Sequence, residues 1–210
     1  MSNREPSIFI FDLFWLALNP QKPPISATSE DRQAFADRYS VKNWNPKEGF
    51  QTVVLDAATL LRLTRLGSEV FEEYNKSNNK TIQQARKLTQ DHIRNMFVEV
   101  AQAGFQHWCP DLREGPDTDY NVAHIQLAIQ TFRRLLRQGA YAHLQPNVHL
   151  SNDPFLLCNI AIHYIFYFLR KGFKSELVTP GITEARARAN AAQTFRARVR
   201  WLLHQSISSN

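Results

Sequence analysis

Glycine and cysteine are scarce in this chain: 7 and 2 respectively among 210 residues. So few glycines leave little room for phosphate-cradling loops, and neither GxGxxG nor GxxxxGK[ST] occurs. Two cysteines exclude a disulfide scaffold and cannot supply a zinc site of four thiolates. Long apolar runs are missing as well. Ile8–Leu18 is short and holds Asp12, and Phe155–Leu169 holds Asn159 and His163, whereas a membrane-spanning helix needs about 20 apolar residues. The start MSNREPS and the string NPQKPP that follows the first run do not fit a secretory signal. The expectation is a soluble, cytoplasmic protein that is not secreted, with no membrane partner and reduced thiols.

What the chain does have is apolar content, 43% of residues, enough for a core and too much for a disordered chain. Its periodicity is helical, and no paired strands or hairpin turns punctuate it. The spacing predicts helices over 30–39, 56–76, 81–103, 119–138, 154–171 and 183–205. Thr28 or Ser29, Asp56, Thr81 and Asp119 serve as start signals, and Pro154 suits a first helical turn. Gly104, Gly139 and Gly172 read as stops. The fold class expected is all-α: a helical bundle around a central apolar helix, with an apolar N-terminal arm. Residues 154–171 are apolar on every side, so they are the expected axis. Asn159 and His163 then read as a buried polar pair, and Cys158 as a core residue.

Candidates for catalysis are thin. Nucleophilic chemistry needs a base held against the nucleophile, and no signature surrounds Cys109 or Cys158. His107 and Cys109, with His92 or His124 more remote, fall short of the tight four-ligand spacing of structural zinc. The carboxylates Asp111, Glu114, Asp117 and Asp119 read as an acidic surface loop leading into a helix. The expectation is no enzyme, no cofactor and no metal.

Charge is more informative. Residues 1–120 carry 14 basic and 16 acidic side chains, residues 121–210 carry 11 and 3. Such an excess draws polyanions, or simply solvates a surface. The helix 119–138 places Arg133, Arg134 and Arg137 on its polar side, and the last helix places Arg186, Arg196 and Arg200 near one another. Arginine suits planar recognition of phosphate. These six are the candidate nucleic-acid-binding residues. Trp44 and Trp108 are candidates for stacking on bases.

The strings TFRRLLRQGAY (131–141), HYIFYFLRKGF (163–173) and TEARARANAAQTF (183–195) resemble, in order and spacing, those of the coat proteins of flexuous filamentous plant viruses. In that family a TLRQ-like helix, an FDFF-like aromatic box and an Ala-rich basic helix follow one another. The resemblance implies a structural subunit that coats single-stranded RNA and assembles with copies of itself. Tyr167 stands where the box's aspartate would fall, which weakens the inference of that family's RNA pocket.

Phe9, Phe11, Phe14 and Trp15 concentrate aromatics ahead of the proline-rich NPQKPP. Residues 1–25 are thus expected to be an arm and linker, and 26–210 one helical domain with a basic C-terminal half. Such an arm must cover its own core or fill a groove on a neighbour, and oligomerisation through those four residues is the favoured reading. The alternative function is an all-α adaptor whose arginine face binds an acidic protein partner.

Overall fold

Thr28 opens the first helix by a capping box: its hydroxyl accepts from the Asp31 amide and the Asp31 carboxylate accepts from the Thr28 amide. The computed structural model describes residues 25–39, 50, 52–76, 88–144, 153–186 and 189. Its elements are α1 (Ser29–Arg38), α2 (Ala57–Lys76), α3 (Gln90–Gln102), α4 (Asp119–Arg137), a 3₁₀ turn (Ala142–Leu144), α5 (Pro154–Ile162), a π-helical segment (His163–Leu169) and α6 (Arg170–Val178). Residues 182–186 are helical again. The fold is all-helical, with no strand among the described residues.

α3 begins later than the periodicity suggests. Its start is a second capping box, between Thr89 and His92. Thr81, the expected cap, lies outside the described residues. Thr118 rather than Asp119 caps α4, and Asp119 sits in the first turn, where the dipole favours an acid. Gly104 and Gly139 do close their helices, at φ of 81° and 76°. α2 and α3 pack closely because Gly67 faces the Arg94 backbone, where an added Cβ would meet the Arg94 Cα at 3.1 Å.

The centre of the bundle is α4, a correction to the expected axis. It buries ten residues, among them Ala123, His124, Ala128 and Leu135, and packs between α3 and α5. The run 154–171 instead buries one side only. Phe155, Tyr167 and Phe168 are 81, 61 and 52% exposed, and Asn159 and His163 also face outward. The sequence misleads here because apolar side chains on every face look the same whether or not both faces are covered.

Leu157, Ala161, Ile165, Leu169 and Phe173 are all buried, a strict period of four. In an α-helix four residues advance about 400°, so such a stripe drifts by about 40° per step. The π-helical segment winds more slowly and removes that drift. The stripe also carries the helix through Gly172, the expected stop. Burial of Phe173 outweighs the roughly 1 kcal/mol that a helical glycine costs.

The long segment between α3 and α4 is irregular but not peripheral. Trp108, Cys109 and Leu112 are each 1% exposed. Phe105 joins Phe35 of α1 and Tyr120 of α4 in an aromatic cluster, with centroids 5.5–6.1 Å apart. Asn121 ties the segment down: its Oδ1 accepts from the Asp111 amide at 2.7 Å, and its Nδ2 donates to the Asp111 and Gly115 carbonyls.

Candidate functional site

The acidic loop proves to be structural at its key residue. Asp111 is buried, paired with Arg32 of α1, and accepts from the Ser26 hydroxyl at 2.8 Å and the Arg113 amide at 3.0 Å. Burial opposes its ionisation, but those three donors outweigh it and hold the carboxyl below the usual range. Trp108 is no base-stacking platform: its indole N–H donates to the His124 carbonyl at 2.9 Å inside the core. Trp44 lies outside the described residues. Burial pushes the Cys109 thiol up to about 12, the opposite of what a nucleophile or metal ligand needs. No group of three or more metal-ligating side chains forms among the described residues.

The expected arginine surface divides. Arg134 is drawn inward, with its Nε 2.7 Å from Glu99 Oε1 of α3 and an Nη donating to the Asn95 carbonyl. Arg137 is exposed and donates to the Arg133 carbonyl one turn back. Arg133 is half-buried. Arg186 lies far from this trio. Arg170, which precedes it at the start of α6, donates to the Arg113 carbonyl at 2.6 Å, and the Arg113 guanidinium sits over the Phe173 ring. Those contacts put α6 beside the N-terminal end of α4. Arg133 lies about 18 Å along α4 from Asn121, at 1.5 Å per residue. Arg196 and Arg200 lie outside the described residues, as do Phe9, Phe11, Phe14 and Trp15.

What the structure does bring together is a second set of cations. Arg170, Lys171, Lys174 and Arg186 line one open groove of about 650 Å³, together with Phe166 and Tyr167 and, at the far end, Val178 and Ile182. No carboxylate lines it. Lys171 and Lys174 are exposed and form no ion pair among the described residues. Arg186 donates to the Ser175 hydroxyl at 3.4 Å and forms no ion pair among the described residues.

Two acids of the segment 153–178 bind backbone amides. Asp153 caps α5 by accepting from the Phe155 and Leu156 amides. Glu176 accepts from the Gly181 and Thr183 amides, and these bonds hold its carboxyl below the usual range. Neither carboxylate is paired with a groove cation among the described residues. Compared with protein-family models, curated proteins and solved structures, the chain has no match. The site therefore rests on its own geometry.

Two of the groove's cations were visible as the only lysines of the C-terminal half. Reading Gly172 as a helix stop separated Lys174 from Arg170 and Lys171. The signal that joins them is the period-four stripe running on to Phe173.

Proposed function

We propose that this protein is a structural nucleic-acid-binding subunit, of the coat or nucleoprotein kind, that neutralises the phosphates of single-stranded RNA. In this reading it binds and assembles; it catalyses nothing. The observation that carries it is the groove of Arg170, Lys171, Lys174 and Arg186, free of carboxylates in its lining. Four cations along one helix face and the helical turn beyond suit a polyanion better than a small ligand, because the groove is open along its length. Arg133 and Arg137 add positive charge at the other end of α4. The resemblance to flexuous-virus coat proteins points the same way.

Assembly with further copies is supported by the outer side of 155–178. Phe155, Phe168, Leu177 and Val178 are between 52 and 83% exposed, apolar surface that a neighbouring copy would cover. The N-terminal arm with Phe9, Phe11, Phe14 and Trp15 is the segment proposed to make the contact between copies. No helix among the described residues is long and apolar enough to cross a membrane.

The test is size-exclusion chromatography with and without single-stranded RNA, followed at two ultraviolet wavelengths, at low and high salt. A shift to large RNA-containing particles that salt reverses is expected. A clean protein peak unchanged by RNA at low salt would exclude the reading and favour an adaptor with an acidic protein partner.

A further inference from the structure

His163 and Tyr167 are both exposed, yet their rings lie stacked, 4.9 Å between centroids and 24° between planes. Tyr164 and Phe168, one position on, repeat the arrangement at 5.6 Å and 18°. All four lie in the π-helical segment. Residues four apart are neighbours on one face of a helix, which brings each pair of rings together. The first pair contributes nothing to the core. Tyr167 is 61% exposed and lines the basic groove.

Tyr167, Arg170, Lys171, Lys174 and Val178 follow one another at helical spacing along a single face. An aromatic ring therefore stands at one end of a column of cations, about one helical turn (about 5.4 Å) from the first of them. Exposed aromatics beside cations are the pairing that single-stranded nucleic acids require. Cations hold the backbone, and a ring face takes an unpaired base whatever its identity. A duplex keeps its bases stacked inside and can offer the groove only phosphates.

We infer that Tyr167, backed by His163, is a base-stacking platform that gives the basic groove its preference for single-stranded over double-stranded RNA. This inference rests on the groove being a phosphate site, and the experiment separates the two. Binding to the full-length protein is measured by fluorescence anisotropy with a short labelled oligouridylate. An RNA duplex, inorganic polyphosphate and polyglutamate serve as competitors.

Tyr167→Ala is expected to weaken oligouridylate binding about tenfold, the loss of one stacked base, while competition by polyphosphate is unchanged. Tyr167→Phe keeps the ring and should bind as the native protein does. Lys171→Ala with Lys174→Ala should weaken both oligouridylate and polyphosphate. Circular dichroism confirms that each variant keeps its helices, as exposed positions should.

Native affinity in Tyr167→Ala, with the lysine variant still impaired, overturns the stacking platform and leaves the phosphate site standing. Equal affinity for duplex and single strand also overturns it. A lysine variant that binds both ligands normally, or polyglutamate displacing RNA more effectively than polyphosphate does, overturns the phosphate site itself.

Discussion

Glu99 on α3 and Arg134 on α4 meet Oε1 to Nε at 2.7 Å across the seam between the two helices, with side chains 17 and 33% exposed. Burial raises the Glu99 carboxyl, and Thr131 and the Arg134 charge pull it back. Breaking such a pair leaves a partly buried charge alone, at a cost of about 2 kcal/mol once partial exposure is discounted. Glu99→Gln should therefore lower the urea midpoint, and Arg134→Glu should lower it further by setting two carboxylates face to face. Loss of RNA retention in an Arg134 variant would then report on folding, which makes Arg133→Glu with Arg137→Glu the cleaner probe of that end of α4.

Salt dependence distinguishes the groove from the α4 arginines. For single strands, log affinity falls with log salt by about 0.7 for each phosphate neutralised. Replacing Lys171 and Lys174 by alanine should flatten the slope by about 1.4 if both cations meet phosphates. A slope that does not change, measured from 50 mM to 300 mM salt, moves the contact elsewhere.

Asn121 should be among the least replaceable polar residues. Asn121→Ala removes partners from the Asp111 amide and from the Asp111 and Gly115 carbonyls, each buried group costing about 1–3 kcal/mol when unsatisfied. A loss of at least 3 kcal/mol in a denaturation curve is expected. The loop 105–118 should also become the first site of proteolysis.

His124 makes stability depend on pH. It is wholly buried among Phe105, Trp108 and Tyr120, with His107 and Asp31 the nearest other charges, and its Nδ1–H donates to the Tyr120 carbonyl. Burial pushes its pKa down to about 4, against that carbonyl's pull. The folded state then binds fewer protons than the unfolded chain between about 4 and the ordinary value of 6.5. Stability should fall through that window as pH drops, by up to roughly 1.4 kcal/mol per unit, and level off below it. Asp111, held low, extends the loss to more acid pH, while Glu99, held high, opposes it. His124→Gln should flatten the curve between pH 4 and 6.5 even though it is less stable at pH 7.

Deleting residues 1–20 should abolish assembly and leave the helix content of the domain unchanged, as read by sedimentation velocity and circular dichroism. A deletion that unfolds the protein would place Phe9, Phe11, Phe14 and Trp15 in its own core and remove the arm from the assembly reading.

Helix identity was legible in the sequence because caps and apolar spacing are local: Thr28, Asp56 and Pro154 mark starts that the structure keeps. Burial was less so. Leu157 and Phe155 look alike in the sequence, and only tertiary packing decides that the first is covered and the second not. Trp108 and Asp111 sit in a string rich in loop residues, yet Asn121, ten or more positions away, draws that string into the core. The arginine set was chosen by residue type and face. Its division between the two ends of α4 depends on the long-range contact of Arg170 with Arg113, which no spacing encodes.

The π-helical segment acts as a phase setter between two rods. Each residue of an α-helix turns its successor by about 100°, so winding 163–169 as an uninterrupted α-helix would swing everything beyond it by about that angle. Lys171 and Lys174 would keep their identity and charge but point to another side of the molecule, away from Arg186. The groove is thus a property of winding as much as of composition, and a chain with the same cations on an uninterrupted α-helix would not have it.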